Sequence, residues 1–231
     1  MINNPQFTIK EPVSVSGQIY QYLKESIVTC EIEPGSSVSE KAISASLEVS
    51  RQPVREAFIK LAECGLLKIY PQRGSVVTRI SIKAVMDGKF IRSAIECAVV
   101  KNLAQTVTEA QLKVLNEIIG LQQAAIHEQN YREFLRQDDA FHQQMALFAD
   151  CKLAWDTIDN LKTSMDRVRY LDIKRDKSMD EVVNEHQALI EALRQHNDER
   201  AAALLAAHLD DVPEVIDDIL MTKADWFETQ N

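Results

Sequence analysis

The chain has 231 residues, of which 45% are hydrophobic and 26% charged, and its formal net charge is −9. That size suits one large or two small domains, and the low content of glycine, proline and aromatic residues favours helices over a β-sandwich. No apolar run reaches the roughly 18 residues of a membrane helix, no signal peptide is apparent, and the cysteines are scattered as reduced thiols usually are, so we expect a cytoplasmic protein without a membrane span.

Charge is distributed unevenly along the chain. Residues 1–79 contain nine basic and eight acidic residues, whereas residues 80–231 contain 17 basic and 27 acidic residues. A nearly neutral first part with focused basic side chains can dock on phosphate, while the acidic remainder stays away from it.

The first elements in chain order are three helices. Apolar residues at helical spacing predict a helix at about 14–30, after a loose arm. Ser39 and Ser50 are suitable N-caps for the second and third helices, and Gly65 ends the third.

A short β-hairpin is predicted next. Residues 66–70 and 75–80 have strand character and flank the turn Pro71-Gln72-Arg73-Gly74. Three helices followed by a two-stranded hairpin are the order of a winged helix-turn-helix, which we predict over residues 1–80.

The rest of the chain, residues 81–231, has a helical pattern. The predicted helices are 82–105, 109–128, 131–149, 152–171, 179–196 and 198–221. Capping boxes begin at Thr108 and Ser178, and Pro213 is expected to kink or break the last helix. Because the links are short, we predict an all-α antiparallel bundle and a mostly α fold for the whole chain.

The third helix carries side chains suited to reading DNA. Arg51 and Arg55 are four residues apart and project from one face, where a guanidinium can bond guanine bidentately. Gln52 can read adenine or hold a phosphate, Lys41 can contact the backbone, and Arg73-Gly74 can enter the minor groove. Arginines at this spacing are also common on helices that bind nothing, so the ordered combination carries the prediction.

Three histidines and one aspartate in the second part could form a metal site. Asp138 and His142 lie one turn apart on a predicted helix, while His186 and His208 lie on two later helices. A carboxylate with imidazoles suits a divalent transition metal, zinc first, with nickel or manganese as alternatives. Any single histidine is more often a structural polar residue than a ligand.

Two stretches resemble a known family. Residues 47–58, 61–66 and 71–74 resemble the winged helix of GntR-family regulators, although Glu48 stands where those favour glycine. Residues 82–215 resemble the FadR C-terminal (FCD) helical domain. Its metal-binding members carry Asp-x-x-Phe-His, then Glu-His, then a last histidine, and the resemblance assigns the metal to Asp138, His142, His186 and His208.

The resemblance also places Arg92 in the effector pocket. There its guanidinium could clamp a carboxylate beside the metal. The alternative is a plain ion pair with Glu96, four residues further on, and both roles could hold together.

Two classes of function follow. The first is a ligand-responsive regulator, with a repressor favoured. It would bind a pseudo-palindromic double-stranded operator as a homodimer and sense a small carboxylate. The resemblance implies dimerisation, plausibly through 82–105 and 152–171. The second is a metal-dependent hydrolase or isomerase with an appended DNA-binding module, although no nucleophile motif is present. In a third variant the metal itself is the effector.

Overall fold

The computed structural model describes residues 14–71, 74–175, 179–210 and 212–229. These residues form two compact units. The first comprises the described residues up to Ile82 together with those from Lys223 onward, and the second is Lys83–Thr222. Within the described ranges, no helix combines the length and the apolar character needed to cross a bilayer.

The first unit is a small helical domain with an antiparallel sheet. Its elements are α1 (Val15–Val28), β1 (Ser37–Val38), α2 (Glu40–Ser46), α3 (Arg51–Glu63), β2 (Leu67–Tyr70) and β3 (Gly74–Val77). The strands lie in the order β1-β3-β2. The hairpin of β2 and β3 was predicted, but β1 was not, because two residues are too short for an alternating pattern.

Local signals explain where these helices begin and end. The Ser39 side chain accepts a hydrogen bond from the Ala42 amide and caps α2. Ser50 is in the N-cap position of α3, but its side chain makes no capping bond, so that part of the prediction was wrong. Gly65 has a φ of +73°, and the Leu66 amide donates to the Leu61 carbonyl at 2.8 Å, which is a Schellman ending.

The core of the first unit is formed by the apolar faces of its helices and by the hairpin. Its buried members include Ile19 and Leu23 of α1, Phe58 and Leu61 of α3, and Val77 of β3. This packing buries one side of α3, so the opposite side of that helix faces outward.

The end of the chain packs with the first unit, which the sequence pattern did not predict. A short 3-10 helix, Ala224–Trp226, is followed by Phe227, which forms a parallel bridge with Ile80. The Ile80 amide donates to the Trp226 carbonyl at 2.8 Å, and the Arg79 Nε donates to the Asp225 carbonyl at 2.8 Å. Trp226 and Phe227 are buried. The terminal segment is therefore part of the core of this unit.

The second unit is helical throughout its described residues. Its elements are α4 (Ile82–Thr106), α5 (Glu109–His127), α6 (Tyr131–Phe148), α7 (Lys152–Leu161), α8 (Thr163–Arg175), α9 (Met179–Arg194), α10 (Asp198–His208) and α11 (Val212–Lys223), of which Ile82 and Lys223 belong to the first unit. The mostly α fold with a winged helix-turn-helix and a helical second part is confirmed.

Two predicted helices are each divided in the structure. The helix predicted over 152–171 is α7 and α8, separated at Lys162. The helix predicted over 198–221 is α10 and α11, and Pro213 falls in the first turn of α11, where proline is tolerated. The expected break near this proline is confirmed. The capping box at Thr108 is present, while the one predicted at Ser178 lies outside the described residues.

Helix α5 packs against α6 and α9, and α9 packs against α10. The core between them includes Leu112 and Leu115 of α5, Phe134 and Phe141 of α6, and Leu189 of α9. All four cysteines are free thiols. Since α6, α9 and α10 also carry the predicted metal ligands, this core holds those side chains in place.

Candidate metal centre and nucleic-acid interface

The N-terminal end of α3 presents the predicted DNA-reading arginines to solvent. The side chains of Arg51 and Arg55 are 62% and 56% exposed. Both lie near one carboxylate, since Oε2 of Glu40 is 3.7 Å from Arg51 Nη2 and 3.3 Å from Arg55 Nη2. The two guanidinium groups are therefore close together and gathered at the start of α2.

The other predicted DNA-binding residues are also at the surface where they are described. Lys41 is exposed on α2, and the Gln52 side chain donates to Glu56 Oε1 at 3.2 Å. Gly74 begins β3 at a φ of +90°, a conformation that favours glycine. Arg73 lies outside the described residues.

Glu48 also has a positive φ, of +55°. This is the position where GntR-type sequences favour glycine, and the left-handed backbone explains that preference. The turn keeps its geometry here with a side chain that costs roughly 1 kcal/mol more than glycine.

The four predicted metal ligands lie together in the second unit. Asp138 and His142 are one turn apart on α6, His186 is on α9, and His208 is the last residue of α10. One ligand atom from each residue lies within 4.8 Å of the others. The Asp138 carboxylate is 3.6 Å from His186 Nε2 and 3.9 Å from His142 Nε2.

Each of the three imidazoles is held through its Nδ1 atom. Glu96 Oε2 is 2.5 Å from His142 Nδ1, and Gln122 Oε1 is 3.1 Å from His186 Nδ1. Glu185 Oε2 is 2.7 Å from His208 Nδ1. Oxygen acceptors at Nδ1 place the proton there, so the lone pair of a neutral ring is on Nε2.

The second nitrogen of each ring, Nε2, is not used in these contacts, and the hydrogen-bonding capacity of the Nε2 atoms is poorly satisfied. Those of His142 and His186 are buried and have no hydrogen-bond partner among the described residues. A buried polar atom without a partner costs free energy and therefore requires an explanation, and a metal ion at this position would supply the missing partner. The two atoms face the Asp138 carboxylate, whose own partner on the other side is Arg169.

The electrostatic environment of the cluster favours protonation states that suit a cation. Burial, and the neighbouring His208, hold the pKa of His186 well below its usual value. Burial also lowers the pKa of His208, although the bond from Glu185 acts against it. Burial alone would raise the pKa of Asp138, but Arg169 and the histidines keep it far below its usual value. At neutral pH the cluster is therefore two neutral imidazoles, His186 and His208, beside an ionised carboxylate, with His142 as the third ring.

These groups fit a divalent metal ion. Ligands around a tetrahedral zinc are separated by about 3.4 Å, given zinc–ligand distances near 2.1 Å. The separations of 3.6 Å and 3.9 Å between donor atoms are close to that value, and small side-chain shifts would close them. The set contains imidazole and carboxylate but no thiolate, which suits zinc, nickel or manganese.

Arg92 combines both roles that the sequence allowed. Its Nε donates to Glu96 Oε1 at 2.5 Å, so the ion pair is present. Its Nη2 is buried and has no hydrogen-bond partner among the described residues. Arg92 also lowers the pKa of both His186 and His208 through space, so its charge lies near the cluster. An unused guanidinium nitrogen beside the ligand set is suited to an anion.

Sequence patterns contained little or no indication of the acceptors that bind the histidine Nδ1 atoms. Glu96 was considered only as a partner of Arg92, and nothing singled out Gln122. Glu185 precedes His186 on α9, and consecutive helix residues point about 100° apart, so the sequence gives no reason to place both at one site. Glu185 reaches His208 on the neighbouring helix, a contact that only the packing of α9 on α10 reveals.

Comparisons with known proteins agree with both parts of the chain. Residues 15–77 match the model of the bacterial regulatory proteins of the gntR family, and residues 90–211 match the FCD domain. The HTH-type transcriptional repressor RspR of Escherichia coli is 43% identical over 216 residues, which are 94% of this chain and 95% of that protein. The gluconate operon transcriptional repressor of Bacillus subtilis is 27% identical and covers 87% of this chain and 84% of its own length.

Solved structures show the same fold. Escherichia coli McbR/YncC superposes with a TM-score of 0.76 at 19% identity, covering 90% of this chain and 99% of that chain. A GntR transcriptional regulator from Rhodococcus sp. RHA1 gives a TM-score of 0.73 at 24% identity, covering 89% and 99% of the two chains.

Proposed function

The chain belongs to the GntR family of bacterial regulatory proteins and carries an FCD domain, and from that premise we propose a metal-dependent transcriptional repressor that senses a small organic acid. The supporting observation is the ligand cluster: three imidazoles, each held at Nδ1, surround one carboxylate. Two of their buried Nε2 atoms have no hydrogen-bond partner in the part of the chain that the structure describes. The family is one of DNA-binding transcription regulators, which favours this function over a metal-dependent hydrolase or isomerase.

We assign DNA binding to residues 1–80. The proposed contacts with a double-stranded, pseudo-palindromic operator are Lys41, Arg51, Gln52, Arg55, Arg73 and Gly74. The exposure of Arg51 and Arg55 at the start of α3 supports major-groove contacts, where an arginine discriminates guanine by roughly 1–3 kcal/mol. A DNA-binding regulator of a bacterium works in the cytoplasm, where its operator is.

We assign metal and effector binding to residues 81–231. Asp138, His142, His186 and His208 would hold the ion, with zinc first and nickel or manganese as alternatives. A divalent ion held by these side chains supplies a Lewis-acidic position for an anionic ligand. Arg92 would hold the same ligand through its unused Nη2 atom, which makes a carboxylate the proposed effector.

The same part of the chain would form the homodimer. Phe90 of α4 and Leu153 of α7 are 75% and 77% exposed, so both offer apolar surface for contact with a second copy of the chain. Both lie on the segments for which dimerisation was expected. Two copies would present two α3 helices to the two halves of a pseudo-palindrome.

Effector binding can change DNA affinity only if the ligand binds two conformations unequally. We expect this coupling to depend on the metal. The variant in which the metal itself is the effector is distinguished by titrating DNA binding with metal at a constant concentration of the carboxylate.

The metal assignment is tested by elemental analysis of purified variants. His142→Ala should lower the bound metal to background, because one of four ligands is lost. His127→Ala is the matched control, since His127 is exposed at the end of α5 and outside the cluster. Full metal occupancy in the His142→Ala protein would refute the site.

The DNA assignment is tested by mobility-shift titration with the DNA upstream of the chain's own gene. Arg51→Ala should weaken specific binding by at least tenfold while leaving the fold unchanged. Lys60→Ala removes one positive charge from the other end of the same helix and should change affinity by less than threefold. Unchanged affinity and salt dependence in Arg51→Ala would refute the assignment.

A further inference from the structure

Behind the ligand cluster lies a buried network of charges that links α6 to α8. Asp139, next to the proposed ligand Asp138, accepts from Lys162 Nζ at 2.5 Å and from Arg169 Nη1 at 3.0 Å. Asp166 accepts from the same two groups, each at 3.0 Å. The lysine, the arginine and their carboxylates therefore form one connected set.

The two cations of this network share two carboxylates and differ in their further contacts. Both Lys162 and Arg169 bind Asp139 and Asp166. Lys162 also lies 3.7 Å from Asp159 Oδ1, whereas Arg169 reaches Asp138. Its Nη2 atom donates to Asp138 Oδ2, while its Nη1 atom holds the other two carboxylates. The planar guanidinium is thus itself fixed by three carboxylates, one of which is Asp138.

Arg169 binds Asp138 through one carboxylate oxygen, and both oxygens border the ligand cluster. Oδ2 accepts from Arg169 and lies 3.9 Å from His142 Nε2, whereas Oδ1 lies 3.6 Å from His186 Nε2. With Asp159 counted, four carboxylates face two cations, so the network has an excess of two negative charges that a bound divalent cation would balance. Partners that orient metal ligands in this way commonly affect metal affinity by about 10–100-fold.

We propose that Arg169 is the positioning residue of the metal centre, which holds Asp138 so that Oδ1 faces the ion. The proposal rests on the metal-binding function proposed above. It assigns to α8 a role in metal binding although α8 supplies no ligand. The sequence could not indicate this role, because one continuous helix over 152–171 hid the turn at Lys162 that begins α8.

Cobalt(II) is a suitable probe, because its visible absorption reports the geometry of its ligands. Affinity is measured by competition with a chelator, and folding by circular dichroism. Arg169→Met should bind cobalt about 10–100-fold more weakly and with an altered spectrum. Lys162→Met also removes one cation from the network but leaves Asp138 untouched, so its affinity should change by less than threefold and its spectrum should be that of the wild type.

Arg169→Lys keeps the positive charge but loses the planar guanidinium, which binds through two nitrogens at once. It should give an intermediate affinity and a shifted spectrum, and it provides the test should Arg169→Met fail to fold. Wild-type affinity and spectrum in either folded Arg169 variant would overturn the positioning role, as would equal losses in Arg169→Met and Lys162→Met. His142→Ala separates the two proposals. If His142→Ala also binds cobalt with wild-type affinity, the proposed metal site is wrong. If only His142→Ala loses cobalt affinity and the Arg169 variants do not, the metal site stands and only the role of Arg169 is refuted.

Discussion

Two glutamates of this protein hold arginine side chains in opposite surroundings. Glu96 is buried in the second unit, where Arg92 and His142 are each 2.5 Å from its oxygens. Glu40 is near the surface of the first unit, where Arg55 is 3.3 Å away and more than half exposed. The buried pair orients Arg92 and His142, two residues of the proposed metal and effector site. The surface contact only brings the arginines together, and water, salt ions or a phosphate group can replace the Glu40 carboxylate as their partner.

The largest effect is expected from removing the buried glutamate. Glu96→Ala leaves the Arg92 guanidinium and the His142 ring without their acceptor in a dry interior. The free energy of unfolding should fall by about 3–5 kcal/mol, which is the usual cost of breaking a buried ion pair on one side. Denaturant unfolding with a chelator present measures this without a contribution from metal.

Glu40→Ala is the matched surface change and should lower the free energy of unfolding by less than about 1 kcal/mol. Similar losses of stability in Glu96→Ala and Glu40→Ala would contradict the expected difference between the buried and the surface glutamate.

The first unit has its own buried attachment, in the terminal segment. Trp226→Ala should lower the free energy of unfolding of this unit by about 3 kcal/mol, because a buried tryptophan leaves a large cavity. Thermal unfolding followed by near-ultraviolet circular dichroism measures the loss. Met221→Ala alters a neighbouring, 79% exposed side chain and should change stability by less than about 0.5 kcal/mol. A larger loss from Met221→Ala than from Trp226→Ala would show that the terminal segment does not pack as described.

Acid should weaken the buried site through its histidines. The pKa values of His186 and His208 are lowered in the folded protein, so the unfolded chain takes up protons below about pH 6.5 that the folded chain does not. Stability of the metal-free protein is therefore complete above that pH and is lost as the pH falls toward 5. The slope approaches about 1.4 kcal/mol per pH unit for each histidine.

Titration of the carboxylates does not contribute to the slope in this pH range. The folded pKa values of Glu96 and Asp138 are also lowered, but their contribution is lost only below about pH 4.5, where the unfolded carboxylates take up protons. Unfolding between pH 7 and 5 should thus have a shallower slope in His186→Gln than in the wild type. An unchanged slope would mean that folding does not lower the pKa of His186.

The sequence predicted different parts of the two regions. The arginines of α3 follow each other along one helix, so their common face could be inferred from spacing alone. Asp138 and His142 were placed together in the same way, but their meeting with His186 and His208 depended on resemblance to a family. Residues far apart in the chain are brought together by packing, which a local pattern does not encode.

The partners behind the ligands were harder still. Gln122 and Arg169 carry no pattern of their own, and each acquires its role only from the helix opposite it. The pairing of the terminal segment with Ile80 was missed for the same reason, since its contact spans most of the chain. Local signals, such as the Gly65 helix ending and the Thr108 capping box, were read correctly because their causes lie within a few residues.

The smallest effect should come from loosening the surface contact without removing a side chain. Glu40→Gln should leave stability within about 0.5 kcal/mol of the wild type. It should raise affinity for operator DNA by up to about fivefold, because Arg51 and Arg55 no longer have to leave a carboxylate worth 0.2–1 kcal/mol before they contact DNA. Glu56→Gln removes the same charge from α3, where Glu56 accepts a hydrogen bond from Gln52. Since both changes reduce repulsion of phosphate equally, a mobility-shift titration of the two variants isolates the direct contact, and equal gains would mean that Glu40 acts through its charge alone.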